Sequence, residues 1–120
     1  MAIDRTLAGL LLLGAGGHVF GSIQGYLSQP GPLLWALSAS VLLALLSALN
    51  ILRTYRPGDR ALAWLTVVGT GTWLCISIIF GFVIGNPLDP RVLGFAVITV
   101  SLMYFGVRDA RLQRPLAAER

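Results

Sequence analysis

Residues 6–27 read TLAGLLLLGAGGHVFGSIQGYL, from Thr6 to Leu27. The stretch contains no charged residue, and its apolar run outlasts the core of a secretory signal, so it reads as a helix that spans a membrane. It also carries polar content that a plain anchor does not need. His18 is the only histidine of the chain, Gln24 sits deep in apolar sequence, and Gly17, Gly21 and Gly25 recur at four-residue spacing.

The rest of the sequence repeats this membrane character. Of the 120 residues 56% are hydrophobic and 12% are charged, and the mean hydropathy is +0.79. A soluble domain carries about 25% charged residues. The charges are also segregated: none lies between Arg5 and Arg53, between Arg60 and Asp89, or between Arg91 and Arg108. Breaks fall at Ser28-Gln29-Pro30-Gly31-Pro32, at the polar connection from Arg53 to Arg60, and at Gly85-Asn86-Pro87-Leu88-Asp89-Pro90. Four spans follow, near Thr6–Leu27, Leu33–Leu52, Ala61–Ile84 and Arg91–Val107. The fold class is therefore all-α, a four-transmembrane-helix bundle made of two hairpins in one domain over residues 1–120, with a polar tail at 112–120.

All nine basic residues are arginines, and the net charge of +4 is placed at span ends. That placement points to membrane topology and headgroup contact, with no nucleic acid as partner. Arginine is concentrated at the N-terminus, the middle connection and the tail. The positive-inside rule then puts both termini in the cytoplasm of a multi-pass protein of the cell (inner) membrane. Cys75 is the single cysteine, which excludes an internal disulfide; mid-span, it is expected to be a small core residue.

The two hairpins also resemble each other at an offset of 55 residues. Asp4-Arg5-x-Leu7-Ala8 aligns with Asp59-Arg60-x-Leu62-Ala63, Gly14-x-Gly16 with Gly69-x-Gly71, and Arg53-x-x-Arg56 with Arg108-x-x-Arg111. An internal repeat of residues 4–56 and 59–111 is the expectation. The copies differ where chemistry would sit, with His18 opposite Trp73, Gln24 opposite Ile79 and Asn50 opposite Phe105.

Two sets of candidate residues emerge. The first is for helix packing: Gly17, Gly21 and Gly25 in the first span, Ser40, Ala44 and Ala48 in the second, and Ser77, Gly81 and Gly85 in the third. Small residues at this spacing let membrane helices approach closely. Packing within the bundle is the leading expectation, with association into a homo-oligomer or larger membrane complex as the other. The second set is polar: His18, Ser22 and Tyr26 beside the glycine face, Gln24 on its other flank, and Thr66, Thr70 and Trp73 on one face of the third span. An ionisable residue near mid-membrane is a functional candidate by default, and His18 lies roughly 18 Å along its helix. Proton relay, haem ligation and contact with a polar solute are open to it, against the plainer role of a neutral histidine bonded to Ser22 or a facing carbonyl.

No paired carboxylates, no Ser/His/Asp set and no metal cluster are legible, so an enzyme is not the leading reading, although one built on His18 stays open. The expected function is a non-enzymatic structural or accessory subunit that associates through small-residue faces. The alternative is an oligomeric channel or carrier for a small neutral or weakly polar solute, lined by spans one and three. A weaker alternative is a membrane anchor for haem or quinone through His18. No cofactor is the leading expectation.

Overall fold

The computed structural model describes residues 2–112. Four helices follow in order: α1 Ala2–Tyr26, α2 Pro30–Tyr55, α3 Arg60–Val83 and α4 Pro90–Arg111. Each is long and apolar enough to cross a membrane, and there is no strand among the described residues. The chain is a multi-pass membrane protein built as a four-helix bundle. α1 packs along α2 and α3 along α4, and the two hairpins meet through α1–α4 and α2–α3. The tail after Leu112 lies outside the described residues.

Each boundary has a local cause. Pro30 opens α2 and Pro90 opens α4, positions where the missing N–H would have had no helical partner. Asp59 caps α3 by accepting from Leu62 N–H at 2.9 Å, and Asp89 caps α4 by accepting from Arg91 N–H at 2.8 Å. α3 ends in a Schellman motif: Asn86 N–H bonds to the Gly81 carbonyl at 2.9 Å and Gly85 N–H to the Phe82 carbonyl at 3.0 Å. Gly85 has φ of +69°, the left-handed conformation that this motif favours in glycine.

The helices run further than the apolar pattern indicates. α1 begins at Ala2, α2 continues to Tyr55 and α4 to Arg111, so Asp4, Arg53 and Asp109 lie on helices rather than in connections. The reason is a buried ionic network at the end of the bundle where α1 begins and α4 ends. Arg53, with 2% of its surface exposed, donates through Nη2 to Asp4 Oδ1 at 2.7 Å and through Nη1 to Asp109 Oδ2. It thereby joins α1, α2 and α4. Three residues back, Asn50 Nδ2 donates to Thr70 Oγ1 at 3.1 Å and adds α3. Arg53 is therefore not a headgroup contact, as its place beside a polar connection suggests. Arg5 and Arg108 are more open: Arg5 lies 4.3 Å over the Tyr55 ring and Arg108 bonds Asp109 Oδ1 at 3.1 Å.

Packing is tight in this half. A Cβ on Gly106 would stand 2.6 Å from Val67 Cγ2, one on Gly71 3.2 Å from Met103 Cε, and one on Gly69 would overlap Leu46. The apolar core of Ala8, Leu11, Ala15, Leu43, Leu46, Trp73 and Leu102 continues from here to mid-bundle. Leu13, Phe20, Val41, Val68, Ile79 and Val97 point outward, so the outer surface is apolar on every helix. Cys75 is also exposed on this surface and not in the core: its place on α3 turns it away from the bundle.

Removing Arg53 leaves the buried Asp4 carboxylate without its cation and takes one of two partners from the half-buried Asp109. Arg53→Met is expected to cost about 3–5 kcal/mol, whereas Arg108→Gln at the rim costs less than about 1 kcal/mol. Reversible unfolding in mixed micelles, followed by circular dichroism, measures both. The α4 cap predicts an acid transition. The Arg91 side chain, then its N–H, holds the Asp89 carboxyl at about 2 against its ordinary 3.8. The folded state binds this proton more weakly than the unfolded chain, so the cap contributes fully above pH 3.8 and is lost as pH falls through about 2. Asp89→Asn should remove that part of the acid sensitivity in the same assay.

Candidate functional site

The opposite end of the bundle, where the α1–α2 and α3–α4 turns lie, is looser. Here the hairpins part and leave a cleft of about 860 Å³ between α1 on one side and α3 and α4 on the other. α2 contributes only Ala36 and Ala39, at its back. The cleft exists because its walls lack side chains. Gly17, Gly21 and Gly25 on α1 and Gly94 on α4 line it, and a Cβ at any of the four would meet nothing within 4 Å. Gly14, at its inner limit, is different: a Cβ there would stand 2.8 Å from the Phe95 ring, which closes the cleft toward the tight half.

The glycine triplet of α1 therefore does not pack against another of the four described helices, contrary to the leading expectation for it. Glycines that do pack within the chain are Gly14, Gly69, Gly71, Gly81 and Gly106, and all have a neighbour within contact distance. Of the other small residues singled out by spacing, Ser40 and Ser77 are buried, Ala44 is half-buried and Ala48 is exposed. Gly81 sits against Pro87, 3.1 Å from a Cβ position to its Cα, and Gly85 belongs to the turn rather than to a helix face.

The polar candidates divide into three groups. His18, Ser22, Tyr26 and Trp73 line the cleft. Thr66 and Thr70 lie in the sealed half, where Thr66 donates to the Ala63 carbonyl at 2.8 Å and Thr70 accepts from Asn50. Gln24 is exposed on α1 and is not part of the cleft wall. A single polar path through spans one and three is not formed, because the core and the Asn50 contact separate the two halves.

His18 is fixed by a partner that spacing along α1 does not reveal. Its Nδ1 lies 2.7 Å from Ser40 Oγ on α2 and 3.4 Å from Ser22 Oγ. Ser40 donates its own proton to the Ala36 carbonyl at 3.1 Å, and Ser22 donates to the His18 carbonyl at 2.6 Å. Both hydroxyls also reach a backbone carbonyl, which favours the tautomer in which Nδ1 carries the proton and donates to Ser40. In this tautomer Nε2 is an acceptor, and it has no hydrogen-bond partner among the described residues.

Trp73 stands opposite. Its ring meets His18 edge-on, centroids 6.3 Å apart at 75°, and meets Phe95 in the same manner at 6.0 Å and 78°. The residue is 4% exposed, and its Nε1 donor has no partner among the described residues. At the mouth, Arg91 makes two bonds of 2.9 Å to Asp89 and lies 5.7 Å over the Phe80 ring, so its charge is already matched. Sequence reasoning missed Arg91, Phe95 and Gly94 as cleft residues. The Asp89-Pro90-Arg91 run was the available signal for the first, while no pattern marks the others.

No group of three or more His, Cys, Asp or Glu side chains is arranged to hold a metal ion among the described residues. Compared with protein-family models, with curated proteins and with solved structures, the chain matches none.

The two classes of glycine predict opposite responses to the same change. Gly21→Ala adds a methyl to open space and exchanges a poor helix former for the best one, so stability is expected to hold or rise by up to about 1 kcal/mol. Gly106→Ala forces the methyl against Val67 and is expected to cost about 1–3 kcal/mol. The micelle unfolding assay compares the two directly.

Proposed function

We propose that this chain is a small non-enzymatic membrane protein that holds an uncharged, weakly polar molecule of the bilayer in the cleft between its hairpins, as a binding subunit or carrier. The observation that carries this reading is the glycine wall: four helical glycines border a space that no side chain among the described residues fills. The lining is mostly apolar with a few polar atoms, the usual character of a small-molecule site. A pore is a poorer reading, since Thr66 and Thr70 are buried away from the cleft. The arginines support an orientation with both termini in the cytoplasm of the cell membrane, which turns the cleft toward the outer leaflet. Matched residues at an offset of 55 support descent of both hairpins from one ancestral hairpin.

A second reading draws on the same wall. Gly17, Gly21 and Gly25 are exposed at the spacing used by associating membrane helices, which suits an accessory subunit that seats a helix of a copy or partner there. Native mass spectrometry of protein released gently from its own membrane separates the two. The binding reading expects a retained neutral lipid that Gly21→Leu displaces with helix content unchanged. A second polypeptide lost in Gly21→Leu, with no lipid retained by the wild type, would overturn it in favour of assembly. A retained porphyrin would overturn it in favour of haem ligation by His18.

A further inference from the structure

At the other end of the bundle, where α1 begins and α4 ends, one cation is held in place without being matched. Independently of the cleft, we infer that Arg5, fixed by Thr54 and Tyr55, binds the phosphate of an anionic phospholipid.

Arg5 is exposed, yet two neighbours on α2 restrain it. Its Nε donates to Thr54 Oγ1 at 3.0 Å, and its guanidinium lies 4.3 Å over the Tyr55 ring. Thr54 is itself buried and donates to the Ile51 carbonyl at 2.8 Å, which fixes the oxygen that Arg5 meets. Neither neighbour carries a charge. Nη1 and Nη2 of Arg5 have no hydrogen-bond partner among the described residues. These are the two donors with which a guanidinium grips two oxygens of one phosphate. A side chain already restrained loses less freedom when it binds.

The acids near this end are spent. Asp4 and Asp109 bond Arg53, Asp109 also takes Arg108, and Asp59 accepts from Leu62 N–H. Glu119 lies outside the described residues. Arg5 thus differs from Arg53, Arg91 and Arg108, each of which bonds an aspartate. Arg56, Arg60 and Arg111 are exposed at the same end and add positive charge around it. No described carboxylate answers Arg5.

Depth selects the source of the anion. α1 has 25 residues and is about 37 Å long, whereas the hydrocarbon core of a bilayer is about 30 Å thick. The helix ends therefore stand among the headgroups, and Arg5 lies in the first turn of α1. Phospholipid phosphates are concentrated in that layer, where a soluble anion is dilute. Tyr55, 65% exposed, shares this level with Arg5, as interfacial tyrosines do. A zwitterionic lipid brings its own ammonium to its phosphate, so the surrounding arginines favour a head of net negative charge.

The test titrates the full chain in mild detergent with dioleoyl phosphatidylglycerol or dioleoyl phosphatidylcholine and reads the first bound lipid by native mass spectrometry. Phosphatidylglycerol is expected to bind at about a tenfold lower concentration, the order of one charge-assisted contact. Arg5→Gln should bring it to the phosphatidylcholine value with helix content unchanged. Arg5→Lys keeps the charge without the fork and should lose most of the preference; it decides if Arg5→Gln does not fold. Arg60→Gln removes an equal charge from an unrestrained side chain and should change binding less than about twofold. Gly21→Leu, at the far end, should leave the preference intact. Equal losses in Arg5→Gln and Arg60→Gln would reduce the effect to diffuse charge and overturn the site. So would phosphatidylcholine binding as tightly as phosphatidylglycerol. Displacement of the lipid by excess inorganic phosphate would overturn the lipid as source. Loss of the preference in Gly21→Leu would place the anionic lipid in the cleft and overturn the assignment to Arg5.

Discussion

A guanidinium inside a membrane bundle has to be matched, and Arg53 is matched from two sides, by Asp4 at the start of α1 and Asp109 at the end of α4. The cost of burying these charges is large enough that the arrangement adds little to stability compared with a well-packed apolar core. What it adds is register. A one-residue slip of any of the three helices would leave a buried charge alone, and the Asn50–Thr70 bond extends the same constraint to α3. Four interchangeable greasy helices thereby acquire one preferred alignment, which apolar packing alone specifies weakly where lipid is as apolar as the core.

The alignment divides the bundle into two halves of different character. Near the ionic network, glycine is used to bring helices together: Gly69, Gly71 and Gly106 lie against Leu46, Met103 and Val67. Beyond Trp73 the same residue type does the reverse and keeps space open, with Gly17, Gly21, Gly25 and Gly94 around the cleft. Hydroxyls follow this division. Thr66 is spent inside the sealed half on its own helix, whereas Ser40 on the border holds the His18 ring through Nδ1.

How far the sequence could be read follows from these particulars. The spans, their number and their pairing into hairpins were legible because uncharged runs broken by proline leave few alternatives in a bilayer. The extent of the helices was not, since Asp4, Arg53 and Asp109 look like interfacial charges until the fold brings positions 4, 53 and 109 into contact. His18 stood out as the only imidazole, yet its partner Ser40 lies 22 residues away and on another helix. The glycine triplet was visible as a pattern, but spacing carries no information on whether a neighbour is present. Helical period placed His18, Ser22 and Tyr26 on one side, and the cleft keeps them there. It could not show that Gln24 faces elsewhere, or that Thr66 and Thr70 belong to the other half.

A bundle fastened at one end behaves as a lever. The charged contacts joining α1, α2 and α4 lie where α1 begins and α4 ends, while the cleft opens at the far turns, which among the described residues are linked across the hairpins by fewer polar bonds. A helix of 25 residues is about 37 Å long. A pivot of only a few degrees about the fastened end displaces the opposite tip by roughly 3 Å over that length, close to the width of a methylene chain. A given angular change between the hairpins thus moves Gly25 far more than Arg53, so the width of the cleft depends on the geometry of ionic contacts at the other end of the bundle.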